Sequence, residues 1–155
     1  MTLDKLAHRG LIRPHRPERS EIRSLALAAS HRCEDAENRS IHSETRLEQA
    51  YHAILSCALI GLRAKGYRPA RGAGSHELTL QTLAETLGLD HHRLDYYQAL
   101  RRQRHQGLYE GFVGLPPAGV EEAVQEARHL LGETMAWLRD HHPSFAPDDP
   151  ENGLV

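Results

Sequence analysis

Between Glu44 and Lys65 apolar side chains cover far more than half of a helical surface, and this stretch limits the fold more than any other. Leu47, Ala50, Tyr51, Ile54, Leu55, Cys57, Ala58, Leu59 and Leu62 recur at helical spacing and extend well past one face. A helix of that kind has to be enclosed by other elements. The small residues Ala50, Ala53, Ala58 and Gly61 let a neighbouring helix approach closely. Ser43 stands as an N-cap before it, and Gly66 occupies the C′ position after it.

The enclosing elements are predicted from the same periodicity. Ile22, Leu25, Ala26, Ala29, Cys33 and Ala36 line one face of a helix from Pro17 to Asn38, with Pro17 in its first turn. A shorter helix over His76 to Leu87 turns Leu78, Leu80, Leu83, Ala84 and Leu87 inward and stops at Gly88. Asp90 caps a fourth helix whose stripe is Leu94, Tyr97, Leu100, Arg101, Arg104 and Leu108. A last helix, Ala118 to Asp140, carries Val120, Val124, Ala127, Leu131, Met135 and Leu138, with Trp137 beside them. Helices joined by short connections predict an all-α, up-and-down bundle of four to five helices. Residues 1–16 read as an N-terminal arm that packs loosely or against a partner, 17–142 as the bundle, and 143–155 as an acidic, proline-rich flexible tail. Residues 66–75 read as a loop from their Gly and Pro content, and they hold Arg68 and Arg71 as mobile positive charge.

Composition narrows the chemistry. A chain of 155 residues with a formal charge of −2 is one domain and not a uniformly basic nucleic-acid binder, so any such function rests on a local patch. No apolar run is long enough to span a membrane, and MTLDKLAHRG lacks the apolar core and cleavage site of a signal peptide. Cys33 and Cys57 form no Cys-x-x-Cys pair and read as buried free thiols of a cytoplasmic protein. The 12 histidines invite a metal. Adjacent helical residues diverge by about 100°, however, so His91-His92 and His141-His142 do not present paired ligands. His91 and Asp95 have a chelating spacing, but no third ligand pattern accompanies them. Neither a metal nor a cofactor is expected, and no nucleotide-binding glycine motif is present.

One stretch concentrates chemistry: Leu100-Arg101-Arg102-Gln103-Arg104-His105-Gln106-Gly107-Leu108-Tyr109-Glu110-Gly111. Arginines in a last helical turn are favourable against the helix dipole by about 0.3–1 kcal/mol each, which is reason enough for some of them. Arg101 and Arg104 nevertheless share a stripe with apolar residues, which draws them towards an interface or cleft. Two guanidinium groups beside His105 and Tyr109 suit phosphate recognition, by planar forks plus a group able to transfer a proton.

With these residues in view the chain resembles the HEPN family, small helical bundles named for higher-eukaryote and prokaryote nucleotide binding. Three segments carry the resemblance in order: Leu47-Glu48-Gln49-Ala50-Tyr51-His52-Ala53-Ile54-Leu55, then Gly66-Tyr67-Arg68-Pro69 with Gly74-Ser75-His76, then the arginine stretch. Together they span about residues 20–140. The family motif is an arginine, a polar residue, three variable residues and a histidine. Arg104 matches the arginine, His105 the polar residue, and Tyr109 falls where the histidine is expected.

The resemblance implies a homodimer in which the motifs of two chains face across one cleft. It implies catalytic roles for Arg104, His105 and Tyr109, and RNA or nucleotide binding by Arg101, Arg104, Arg68 and Arg71. Active members resemble metal-independent endoribonucleases, in which the RNA 2′-hydroxyl attacks the adjacent phosphate. Tyrosine, with an ordinary pKa of about 10, is a poor general base near neutral pH. The reading taken is therefore a module with a degenerate motif that binds RNA, a nucleotide or a protein partner. The alternatives are a toxin- or defence-type endoribonuclease, with an antitoxin or nucleotidyltransferase as partner protein, and a ligand-free dimeric scaffold.

Overall fold

The computed structural model describes residues 1–72, 74–110 and 117–147, and within these the backbone alone of 108–110, 117 and 118. In chain order the elements are α1 (Leu3–His8), β1 (Ile12–Pro14), α2 (Arg19–Glu37), α3 (Ser43–Ala64), β2 (Tyr67–Pro69), α4 (Ser75–Gln81), α5 (Leu83–Thr86), α6 (His91–Glu110) and α7 (Pro117–His141). The chain is a helical bundle with one short two-stranded antiparallel ribbon, β1–β2. α3 is central: α2 and α7 pack on it and on each other, while α4, α5 and α6 also pack on α3. Its enclosure follows from its composition, since Leu47, Ala50, Tyr51, Ala53, Ile54, Cys57, Ala58, Ile60 and Leu62 have almost no exposed surface.

The long helices lie within two residues of their predicted ends. α2 begins two residues later than expected because Glu18 is its N-cap, which leaves Pro17 outside the first turn. The Glu18 backbone N–H donates to the Glu21 carboxylate three residues on, at 3.4 Å. His42, not Ser43, is the N-cap of α3. Gly66 sits at φ +91°, the left-handed conformation in which glycine ends a helix at no steric cost. All six predicted core residues of α7 are buried, and Trp137 is partly buried against them. Cys33 and Cys57 are buried free thiols, and burial pushes them up to about 11 and about 12, respectively.

Four expectations need correction. The helix predicted over His76 to Leu87 is interrupted at Thr82. Thr79, Thr82 and Thr86 are buried and turn their hydroxyls back to the carbonyls of Ser75, Thr79 and Thr82, a competition with the backbone ladder that bends helices. The 1–16 segment is not a loose arm, and 66–75 is not wholly a loop. β1 pairs antiparallel with β2, with Ile12 opposite Pro69, Arg13 opposite Arg68 and Pro14 opposite Tyr67. Ile12 and Leu6 bury themselves against Leu62, and the Tyr67 hydroxyl donates to Asp4. The start of the predicted tail is also docked: Ala146 is buried, Phe145 packs on the core, and Arg19 donates to the Ala146 carbonyl at 3.2 Å. Residues 148–155 of that tail lie outside the described residues.

α6 is held to α7 by charge. Arg93 donates through Nε, Nη1 and Nη2 to Glu126 and Glu133, at 2.5–3.2 Å, and the buried Tyr97 hydroxyl donates to Glu126 at 2.6 Å.

Two stability predictions follow from this packing. A Cβ added at Gly61 would lie 2.9 Å from Thr86 Oγ1 and 3.0 Å from Leu87 Cδ1. Gly61→Ala should therefore lower unfolding free energy by about 1–2 kcal/mol in urea titration, although alanine is the better helix former by about 1 kcal/mol. Arg93 holds the Glu133 carboxyl below its ordinary range. That contribution is full above the unfolded pKa and is lost as pH falls through the folded one. Glu133→Gln should thus destabilise by about 1–2 kcal/mol near neutral pH, with the gap to wild type closing in acid; a gap that stays constant would contradict this origin.

Candidate functional site

The arginine stretch meets the polar edge of α3 and the first turn of α4. On α3, Glu48, Tyr51 and His52 stand at i, i+3 and i+4 and so share one face. On α6, Leu94, Tyr97 and Leu100 are buried, and Arg101 and Arg104 continue that stripe with side chains 24% and 22% exposed. The apolar part of the stripe anchors α6, and the arginines lie where it reaches the surface.

Arg104 donates from Nε to Glu48 Oε1 at 2.9 Å, and its guanidinium carbon lies 5.7 Å from the centroid of the Tyr51 ring. This is a cation–π distance, so the ring face helps hold the positive charge. The same Glu48 oxygen is 3.2 Å from His52 Nε2. Arg101 donates from Nε to Gln98 Oε1 at 2.8 Å, and its Nη2 is 3.9 Å from Glu77 Oε2. Gln98, itself buried, donates from Nε2 to the Glu77 carbonyl at 2.8 Å and to Gln81 Oε1 at 3.1 Å, which fastens α4 to α6.

That fastening brings in His76. Its Nδ1 is 3.1 Å from the hydroxyl of Tyr51, a side chain with no exposed surface. A buried phenol O–H requires an acceptor, so Nδ1 accepts and the ring proton of neutral His76 resides on Nε2. Burial lowers the His76 pKa, and the charges of Arg104 and then Arg101 lower it further. His52 is lowered by burial, against the opposing hydrogen bond to Glu48. Burial raises Tyr51 and keeps it a phenol, although the two arginines pull the other way. Near neutral pH this surface patch therefore combines two guanidinium groups with two uncharged imidazoles.

The predicted site residues do not all meet here. Arg101 and Arg104 do. His105 is exposed on the next position of α6, and the Tyr109 side chain lies outside the described residues. Arg68 is in β2 opposite Arg13, and its charge is felt at His15 and Arg63. Arg71 is exposed beside a small cleft of about 140 Å³ lined by Gly10, Leu11, Ser75 and Leu78, among others. Glu48, His52, His76 and Gln98 were not among the predicted site residues. The Glu48–His52 pair at i, i+4 beside the apolar faces of α3 was the available signal for the first two. His76 and Gln98 become visible only when α4 and α6 are brought together. Among the described residues no three His, Cys, Asp or Glu side chains are grouped as metal ligands would be.

Comparisons with family models, with curated proteins and with solved structures find no match to this chain.

The electrostatics can be checked directly by following the His76 ring protons by NMR. Wild-type His76 should titrate below the ordinary value of about 6.5, and Arg104→Gln should move it upward without restoring that value, because burial is the larger cause. An unchanged midpoint in Arg104→Gln would show that the two groups do not interact.

Proposed function

We propose that the chain is a HEPN-like, cytoplasmic module that binds RNA or a nucleotide through the cleft of Arg101 and Arg104, working as a homodimer with a degenerate catalytic motif. The observation that carries this reading is how the two guanidinium groups are held. Each is fixed by a hydrogen bond through Nε, to Glu48 or to Gln98, and both are partly exposed. An arginine oriented through Nε has its plane set in advance and presents its terminal nitrogens to a ligand. Phosphate oxygens match that geometry bidentately. Two such forks one turn apart on α6 suit one phosphodiester or two successive phosphates.

The motif position of Tyr109 supports binding over cleavage, since a phenol donates hydrogen bonds well and accepts protons poorly near neutral pH. A second reading, metal-independent RNA cleavage by 2′-hydroxyl attack, is favoured by one observation. The neutral imidazoles of His52 and His76 stand in the same cleft as Arg104. In that case the arginines would stabilise charge developing on the phosphoryl oxygens. An antitoxin or nucleotidyltransferase is then the class of protein partner to look for.

Binding is tested with a fluorescently labelled single-stranded RNA in low salt with a chelator present. Arg104→Ala should weaken binding by about 10- to 100-fold, the worth of one charge-assisted contact, and added salt should weaken the wild type further. Undiminished binding in Arg104→Ala would refute the proposed cleft, and a monomer by light scattering would refute the dimer. Cleavage products from wild type that vanish in Arg104→Ala would favour the second reading. A gain of cleavage in Tyr109→His would identify Tyr109 as occupying the position of the motif histidine.

A further inference from the structure

The α4 side of the cleft carries a group that the arginine motif does not include. His76 lies in the first turn of α4, and that turn is tied to α6 twice: Gln98 donates to the Glu77 carbonyl at 2.8 Å, and Arg101 Nη2 lies 3.9 Å from the Glu77 carboxylate. From α3, Tyr51 holds His76 Nδ1 at 3.1 Å, while the Arg104 guanidinium covers the ring of the same tyrosine. The imidazole is therefore oriented by one partner, lies within the electrostatic reach of the two arginines and is exposed to solvent, with Nε2 as its other ring nitrogen.

We infer that His76 is the third phosphate-binding group of this cleft, donating from Nε2 to a phosphate oxygen held by the two arginines, and that it takes up a proton as the phosphate enters. This rests on the reading of the cleft as a phosphate site. The groups that act on the imidazole are Tyr51 from α3 and Arg104 and Arg101 from α6; Glu48 is bonded to Arg104 and to His52, and Glu77, next to His76 in sequence, is paired with Arg101. With both arginines positive and both glutamates negative, these side chains balance one another, and a second proton on His76 is opposed by the guanidinium groups. A phosphodiester adds one negative charge. A proton taken from solvent onto His76 restores the balance, and the energetic objection to that proton goes with the arrival of the anion. Tyr51 permits the change without moving, because its oxygen is an acceptor as well as a donor and receives Nδ1–H once the ring is doubly protonated.

The experiment measures affinity for the same labelled single-stranded RNA at about pH 8 and about pH 6, for wild type, His76→Gln and Arg104→Ala, with folding checked by circular dichroism. One linked proton makes binding tighter by at most about tenfold per pH unit, so wild type should bind about 3- to 10-fold more tightly at the lower pH. His76→Gln keeps an N–H donor but not the imidazole geometry, so it should bind more weakly than wild type at both pH values and lose most of the gain on acidification. The His76 ring protons, followed by NMR, should titrate at higher pH with RNA bound than without. If His76→Gln keeps the full gain, or RNA leaves the His76 midpoint unmoved, the inference is wrong while the phosphate cleft stands. If wild type binds no RNA at either pH, or Arg104→Ala binds undiminished, the cleft reading itself fails and takes the inference with it.

Discussion

The enclosure of α3 is the constraint to which the rest of the structure answers. Fourteen of its 22 residues are buried, so almost every direction around it has to be filled by another part of the chain. α2 and α7 pack on it, α4 to α6 pack on it as well, and Leu62 near its end closes against Leu6 and Ile12 of the α1–β1 segment. Polar groups caught in this enclosure need partners, because an unmet buried donor costs about 1–3 kcal/mol. Arg46 at the start of α3 donates to the Ala36 carbonyl at the end of α2, at 2.8 Å. Tyr51 finds its partner on α4. The candidate site is thus built where the central helix stops being wholly apolar and its polar edge has to be answered by neighbours.

The manner in which arginines are held separates scaffold from site. Arg93 uses Nε, Nη1 and Nη2 on two glutamates, and Arg128 uses Nε and Nη2 on Glu37. Arg63 is paired with Glu21, which also receives His15. These contacts join one helix to another. Arg101 and Arg104 are each anchored through Nε, and Arg104 adds the aromatic face of Tyr51. A chain with 19 Lys and Arg can carry many guanidinium groups without being a basic protein, because its 21 Asp and Glu outnumber them and several of the arginines are paired with carboxylates.

Much of the fold was legible from periodicity alone. The faces of α2, α3 and α7 and the stop at Gly66 depend on residues three or four apart, and local spacing is what a sequence displays openly. β1 and β2 were not legible. Each is three residues long, each contains a proline, and their partners are separated by more than fifty positions, so neither shows an alternating pattern. A two-stranded ribbon accepts those prolines because both strands are edges. In the cleft, Arg101 and Arg104 could be singled out because charge on an apolar stripe is conspicuous. His76 and Gln98 could not, since their importance comes from which helices meet and not from what precedes them in the chain.

The β1–β2 pairing also sets an order of events during synthesis. α1 and β1 emerge early, yet Ile12 and Leu6 bury themselves against Leu62, and the backbone partners of β1 extend to Pro69. Until those residues leave the ribosome, the first apolar groups of the chain have nothing to close upon. Domains that fold during translation are most exposed to association while such surfaces wait. For α1 and β1 that interval ends when the turn after α3 has been made, while α3 itself waits for α7.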